Sequence, residues 1–217
     1  MVVTLQAQVI ATGSMRATMR EGRLGGLVRM DTIAMAGIYG LGPLEYLQGE
    51  IILLDGVCHV GTVARDGSVV VEQRDDVAAP FFVHAQVADW RSVILDDGVR
   101  DLPSLDAFLD RQAGDRDVPF AFRMTGMVRQ ARIHVMDVPP GAVISSPEDA
   151  HRHRRHFDLK DRKVELLGFF SKDHRGVFTH HDGNIHLHLI TIDGAMMGHL
   201  DQLEMAPGAM ALELGLP

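Results

Sequence analysis

A chain of 217 residues can bury a sizeable core, and a composition of 46% hydrophobic and 23% charged residues excludes the disordered class. A formal net charge of -8 repels phosphate backbones and anionic lipid surfaces, which argues against nucleic-acid and membrane partners. Residues 1–15 lack the basic start and apolar run of a signal peptide, no apolar stretch reaches spanning length, and the single Cys58 cannot form an internal disulfide, so a cytoplasmic protein is expected.

Residues 24–36 carry a loose helical spacing. Three short aliphatic or β-branched runs follow, Glu50–Leu54, Val57–Val63 and residues 68–72, punctuated by Asp55-Gly56 and Asp66-Gly67, and they predict an antiparallel meander. Cys58 lies in the alternating middle run and reads as core packing. Residues 80–87 add a strand rich in Phe and Val, and residues 105–112 are predicted helical, with Ser104 as N-cap and Gly114 as the stop. Residues 120–128 and 131–138 read as a pair of strands. Turn residues from Pro139-Pro140-Gly141 to Ser146-Pro147 mark a connection, which divides the chain into a mixed-sheet domain over residues 1–138 and a metal-binding β domain over residues 139–217. The predicted fold is α+β and mostly β: an N-terminal mixed sheet with a few helices, packed on a C-terminal antiparallel, β-barrel-like metal domain.

Nine of the twelve histidines fall between His151 and His199, so geometry has to separate ligands from solvated side chains. His151, His153 and His156 alternate with Arg152, Arg154 and Arg155 and read as a solvated basic loop. His180 and His181 precede the next strand and are candidates for pocket lining or for outer partners of metal ligands. His186 and His188 lie two apart in a strand-like run, residues 185–192, and so project from one face. Asp193-Gly194 favours a two-residue hairpin loop in which both positions take positive φ. If Ile192 pairs with Ala195, paired numbers sum to 387, which sets His188 opposite His199 with His186 diagonal to it. Opposed Cβ atoms lie roughly 4.5–5.5 Å apart and diagonal ones roughly 7–8 Å, close enough for three rings to converge on one ion. Three imidazoles without a thiolate suit Zn2+, other divalent metals being compatible, and three protein ligands leave coordination positions open for substrate. The opposite strand face, Ile185, Leu187, Leu189 and Thr191, predicts a buried wall behind the site.

These residues resemble the alpha-acetolactate decarboxylase family, whose metal strand carries a His-Leu-His type motif followed by Gly-His on the returning strand. Here the matching residues are Ile185-His186-Leu187-His188 and Gly198-His199. The likeness extends through Gly40-Leu41-Gly42, the stretch from Gly49-Glu50 to Asp55-Gly56, Phe122-Arg123-Met124-Thr125-Gly126 and Leu167-Gly168-Phe169. It implies a zinc-dependent decarboxylase of a keto acid, usually a homodimer, in which His186, His188 and His199 are the ligands. Glu50 and Arg123 then match the family's active-site carboxylate and arginine. Those residue types suit the chemistry: the metal polarises a ketone, Arg123 can orient a carboxylate, and Glu50 can act as acid or base if its pocket raises its pKa.

Two departures from the family stand out. Pro43 occupies a position where the family commonly has threonine, and only 18 residues follow His199, so the family's late metal-directed glutamate would have to be supplied by Glu213 on a short strand at residues 211–214. Two alternatives are a cupin-type oxygenase or isomerase, which also uses His-x-His on a strand, and a catalytically silent homologue acting as a binding module. Cupins usually supply a glutamate a few residues later, where this chain has Ile192-Asp193.

Overall fold

The computed structural model describes residues 7–115, 118–177, 179 and 183–217. The first half contains β1 (Val9–Thr12), α1 (Met15–Glu21), β2 (Val28–Arg29), β3 (Ile38–Pro43), β4 (Glu50–Leu54), β5 (Val57–Val63), β6 (Val69–Gln73), β7 (Ala78–Ala79), β8 (Phe82–Gln86) and β9 (Asp89–Val93). Then come α2 (Leu102–Ala113), β10 (Phe120–Met136), α3 (Pro147–His151), β11 (Arg154–Phe170), β12 (Ile185–Thr191), β13 (Met197–Glu204) and β14 (Met210–Leu216). It is a mostly β chain with few helices. Among the described residues no helix is long and apolar enough to cross a membrane.

Two six-stranded antiparallel sheets carry the architecture. The first runs β1-β8-β3-β4-β5-β6, and the second runs β11-β12-β13-β10-β14-β9, with β10 also pairing β11 along its length. Because residues two apart share a strand face, Leu41, Ile52, Val83 and Ala85 of the first sheet meet Leu167, Phe169, Ile190 and Met197 of the second in one buried layer. The far face of the second sheet carries Phe122, Met124, Leu187 and Leu189, covered by Leu105, Phe108 and Leu109 of α2. Leu187 and Leu189 thus form the apolar wall expected behind the histidine strand. The second sheet draws β9 and β10 from before residue 138 and β11 to β14 from after it, so the turn-rich connection at 139–153 joins two neighbouring strands.

Local chemistry explains where expectation and structure part. The strands at Glu50–Leu54 and Val57–Val63 form as read, and Asp55 and Gly56 both take positive φ (49° and 79°), the two-residue turn that matches strand twist. Residues 24–36 are not helical beyond a single 3-10 turn at Met30–Thr32; the helix lies earlier, at α1, where Ser14 accepts the Ala17 N–H as an N-cap. In α2 the cap is Asp101 and Ser104 is the third helical residue, the two closing a reciprocal capping box, while Gly114 ends the helix as expected. The two strands expected over residues 120–128 and 131–138 are one continuous strand, β10, which ends at Met136. The basic stretch at 151–156 is the end of α3 and the start of β11, not a loop.

Cys58 is buried on β5 among Ile51, Leu53, Val60 and Phe82, and burial pushes its thiol up to about 12. At a fixed mildly alkaline pH the native thiolate population therefore falls roughly a thousandfold below that of an ordinary thiol. An aromatic disulfide reagent is expected to label the denatured chain quickly and the native protein only at the rate of unfolding. Fast labelling of native protein would contradict this placement.

Candidate metal centre

The hairpin of β12 and β13 has the register that the histidine spacing predicts: His188 pairs with His199, Leu189 with Gly198 and Ile190 with Met197. The turn that delivers it is built differently. Gly194 alone takes a positive φ, 67°, and its N–H donates to the Thr191 carbonyl at 2.8 Å, while the Thr191 N–H donates to Met196 at 2.9 Å. A four-residue loop around a β-turn replaces the two-residue loop but keeps the same sum of paired numbers. The rings of His186, His188 and His199 converge, with centroids 5.2, 5.2 and 5.6 Å apart, and all three residues are buried.

Their face is the one turned toward the first sheet, because His186 pairs with Phe169 and His188 with Leu167, both members of the layer between the sheets. Glu50 faces them from β4, sharing a strand face with Ile52 of that layer. Its carboxylate oxygen lies 3.6 Å from His188 Nε2, and the residue is 3% exposed. The neighbouring Ile51 carbonyl accepts the His188 Nδ1–H at 3.0 Å, which fixes the tautomer and leaves Nε2 aimed at the site. Burial raises the Glu50 carboxyl well above the usual carboxylate range, against the opposing Met136 N–H hydrogen bond and the Arg154 charge.

Gly198 shows why the ligand on the returning strand follows a glycine. A Cβ there would come within 2.5 Å of the His134 carbonyl oxygen, so β13 reaches its spacing from β10 only without a side chain. Gly198→Ala is expected to shift His199 and lower metal affinity about ten- to a hundredfold. Chelator competition would measure this, and an unchanged affinity would count against His199 as a ligand.

Three residues outside the predicted site belong to the same place, one of them, Arg154, from the stretch expected to be a solvated basic loop. His134 on β10 pairs with His199, stacks on it at 4.6 Å and hydrogen-bonds Asp201 through Nδ1 at 2.8 and 2.9 Å. Asp201 is the odd residue of a bulge: Arg132 pairs with Gln202 but Ile133 with Leu200, which lets Leu200 and Leu203, three apart, both reach the core. Burial alone would push the Asp201 carboxyl up, but hydrogen bonds from His134 and His199 hold it far below the usual range. His134, His199 and Asp201 offer ligand atoms within 4.8 Å of one another and could hold a metal ion. Arg154, the first residue of β11, completes the group. The signals available were an aspartate two residues after His199 and a charged residue opening an alternating strand, both too common to act on alone.

A small cavity opens here. Its polar lining is Glu50, His134, Arg154, His186 and His199, and its apolar lining Met15, Met19, Pro43, Leu47, Phe81 and Met136. Pro43 stands directly opposite Glu50 on β3. Tyr46 and Leu47 take positive φ of 59° and 53°, conformations uncommon for bulky residues and costing on the order of 1–3 kcal/mol each. They are held by the Tyr46 N–H donating to Leu24 (2.7 Å) and the Val138 N–H donating to Leu47 (3.0 Å). The strained turn places Leu47, fully buried, in the cavity wall just before Glu50.

The other expected site residues stand elsewhere. The short strand around Glu213 forms, as β14, but it docks between β10 and β9 and pairs Glu213 with Arg123, whose Nε donates to the carboxylate at 2.6 Å. The Arg123 guanidinium also lies 4.6 Å over the Trp90 ring. Leu167 separates Arg123 from His188 in the ladder, so neither Arg123 nor Glu213 lines the cavity around Glu50. His180 and His181 lie outside the described residues.

Two face-packed antiparallel sheets with a buried imidazole and carboxylate cluster between them define a β protein with a metal-capable site. A family model described as Alpha-acetolactate decarboxylase matches residues 10–215, and the chain belongs to that family. It is 23% identical over 194 residues to an alpha-acetolactate decarboxylase of Methanosarcina mazei, a match covering 89% of this chain and 65% of the relative, so the chain spans less than two thirds of that protein. The fold is shared with the alpha-acetolactate decarboxylase of Bacillus subtilis strain 168, with a TM-score of 0.78 and 15% identity over 97% of this chain and 86% of that one. It is also shared with a Staphylococcus aureus protein of unknown function similar to alpha-acetolactate decarboxylase, with a TM-score of 0.76 and 16% identity over 96% and 85%.

Proposed function

We propose that the protein is a zinc-dependent decarboxylase of a 2-hydroxy-3-keto acid, converting acetolactate to acetoin and carbon dioxide. The observation that supports this most is the meeting of a buried carboxyl, Glu50, with His188 at 3.6 Å beside a small cavity lined by both polar and apolar side chains. Three converging imidazoles, one with its tautomer fixed by a backbone carbonyl, fit a zinc ion, and His186, His188 and His199 would hold it. When bound, zinc supplies Lewis acidity at the keto oxygen.

The chain's own residues do the rest. Met15, Met19, Leu47 and Phe81 take the methyl groups and keep water from the reacting carbons. Burial disfavours the charged form of Glu50, which suits it to deliver a proton to the carbon that loses carbon dioxide. Asp201, accepting from His134 and 3.4 Å from His199 Nδ1, orients both rings.

The test is to offer racemic acetolactate to the zinc-loaded protein and follow both products. Acetoin and carbon dioxide are expected in equal amounts. A fully metallated sample that releases neither, from acetolactate or from longer 2-hydroxy-3-keto acids, would overturn the reading in favour of a silent homologue.

A further inference from the structure

Arg154 stands opposite Met136, the residue whose backbone N–H donates to Glu50. It lines the small cavity with Glu50, His186 and His199. It also lines two outward-opening clefts, one beside Leu200 and Asp201 and the other beside Asp137 and Phe157. Arg154 thus shares one lining with Glu50 and another with Asp201, and its buried Nε finds no acceptor among the described residues. A buried N–H left without an acceptor is costly, and a guanidinium keeps its charge even when half-buried. The group is therefore a fixed cation with an unused donor where these three spaces meet.

We infer, resting on the function proposed above, that Arg154 is the residue that binds the substrate's carboxylate. A 2-hydroxy-3-keto acid carries one negative charge and must bring it into a buried space, where a charge is costly unless it is paired. A planar guanidinium with a free N–H matches that carboxylate. Arg123, the arginine that the sequence suggests, is engaged by Glu213 and Trp90 and lines none of these three spaces. When the bond to the carboxyl carbon breaks, its electron pair stays on the carbon that takes up the proton and the carboxylate leaves as neutral carbon dioxide. Arg154 then loses its partner, so it favours the charged substrate over the neutral product.

The test uses the zinc-loaded chain and 2,3-dihydroxy-2-methylbutanoate, an acid that keeps the carboxylate and hydroxyl but has no keto group to support decarboxylation. Calorimetry should show Arg154→Gln binding this acid about ten- to a hundredfold more weakly, with metal content and acetoin binding unchanged and part of the loss recovered in Arg154→Lys. On a substrate keto acid the loss should appear mainly in KM. The loss in Arg154→Gln should exceed that in Arg123→Gln at least about tenfold. Equal losses in the two variants, or undiminished acid binding in Arg154→Gln, would overturn the assignment. Arg154-dependent acid binding without any carbon dioxide release from keto acids would instead overturn the decarboxylase reading and leave the carboxylate site standing.

Discussion

Replacing His186 and His188 together by alanine is expected to reduce bound zinc from about one ion per chain to almost none. Both imidazoles project from β12 into the layer between the sheets, and no other side chain on that strand face offers a donor. The double variant should still fold, since the opposite face of β12 keeps Leu187 and Leu189 in the core. It will be less stable, because His188→Ala leaves the Ile51 carbonyl without its donor, a cost of about 1–3 kcal/mol. Metal analysis after gel filtration, with circular dichroism to report the fold, decides the matter. His134→Ala is the informative companion. His134 is tied to Asp201 through Nδ1, and with the proposed ligands its loss should leave most of the zinc bound. Zinc lost in His134→Ala and kept in the double variant would move the metal to His134, His199 and Asp201.

Glu50→Gln should lower turnover about 10²–10⁴-fold while zinc content stays unchanged. The amide keeps the shape and can still accept the Met136 N–H, but it cannot deliver a proton. Stability moves in a definite direction in the metal-free chain. Because burial raises the folded-state pKa of Glu50, its contribution is fully present below the usual carboxylate range and is lost as the pH rises through the raised value. Glutamine carries no such charge, so the variant should be at least as stable as the parent at neutral pH. A variant that retains full turnover would remove Glu50 from the chemistry, and one that loses its zinc would make it a ligand.

The parts of the site that sequence could reveal are those governed by local rules. Alternation puts His186 and His188 on one face, and the turn at Asp193-Gly194 fixes which residue of β13 stands opposite, although that turn uses one positive φ where two were expected. The same dipeptide at Asp55-Gly56 does take the tighter form, so its neighbours, among them the Thr191 hydroxyl that accepts the Met196 N–H, select between the two. Glu50 was also legible, through the motif around it. Arg123 and Glu213 were legible as residues but not as partners: what decides their fate is the docking of β14 beside β10, a contact between segments 90 positions apart. His134, Asp201 and Arg154 depend on a bulge and on two 17-residue strands lying side by side, and no short window of sequence encodes either.

The hairpin of β12 and β13 has one more consequence, for the order in which the site assembles. All three proposed ligands lie within residues 186–199, so closing them around an ion needs only a short loop, whereas Ile51 and His188 are 137 positions apart. The hairpin can gather its imidazoles early in folding, and Glu50 joins them only when the first sheet docks. With the proposed ligands, metal capture and chemical competence would then be separable stages of maturation. Lesions that loosen the seam between the sheets should yield a protein that is loaded but inert.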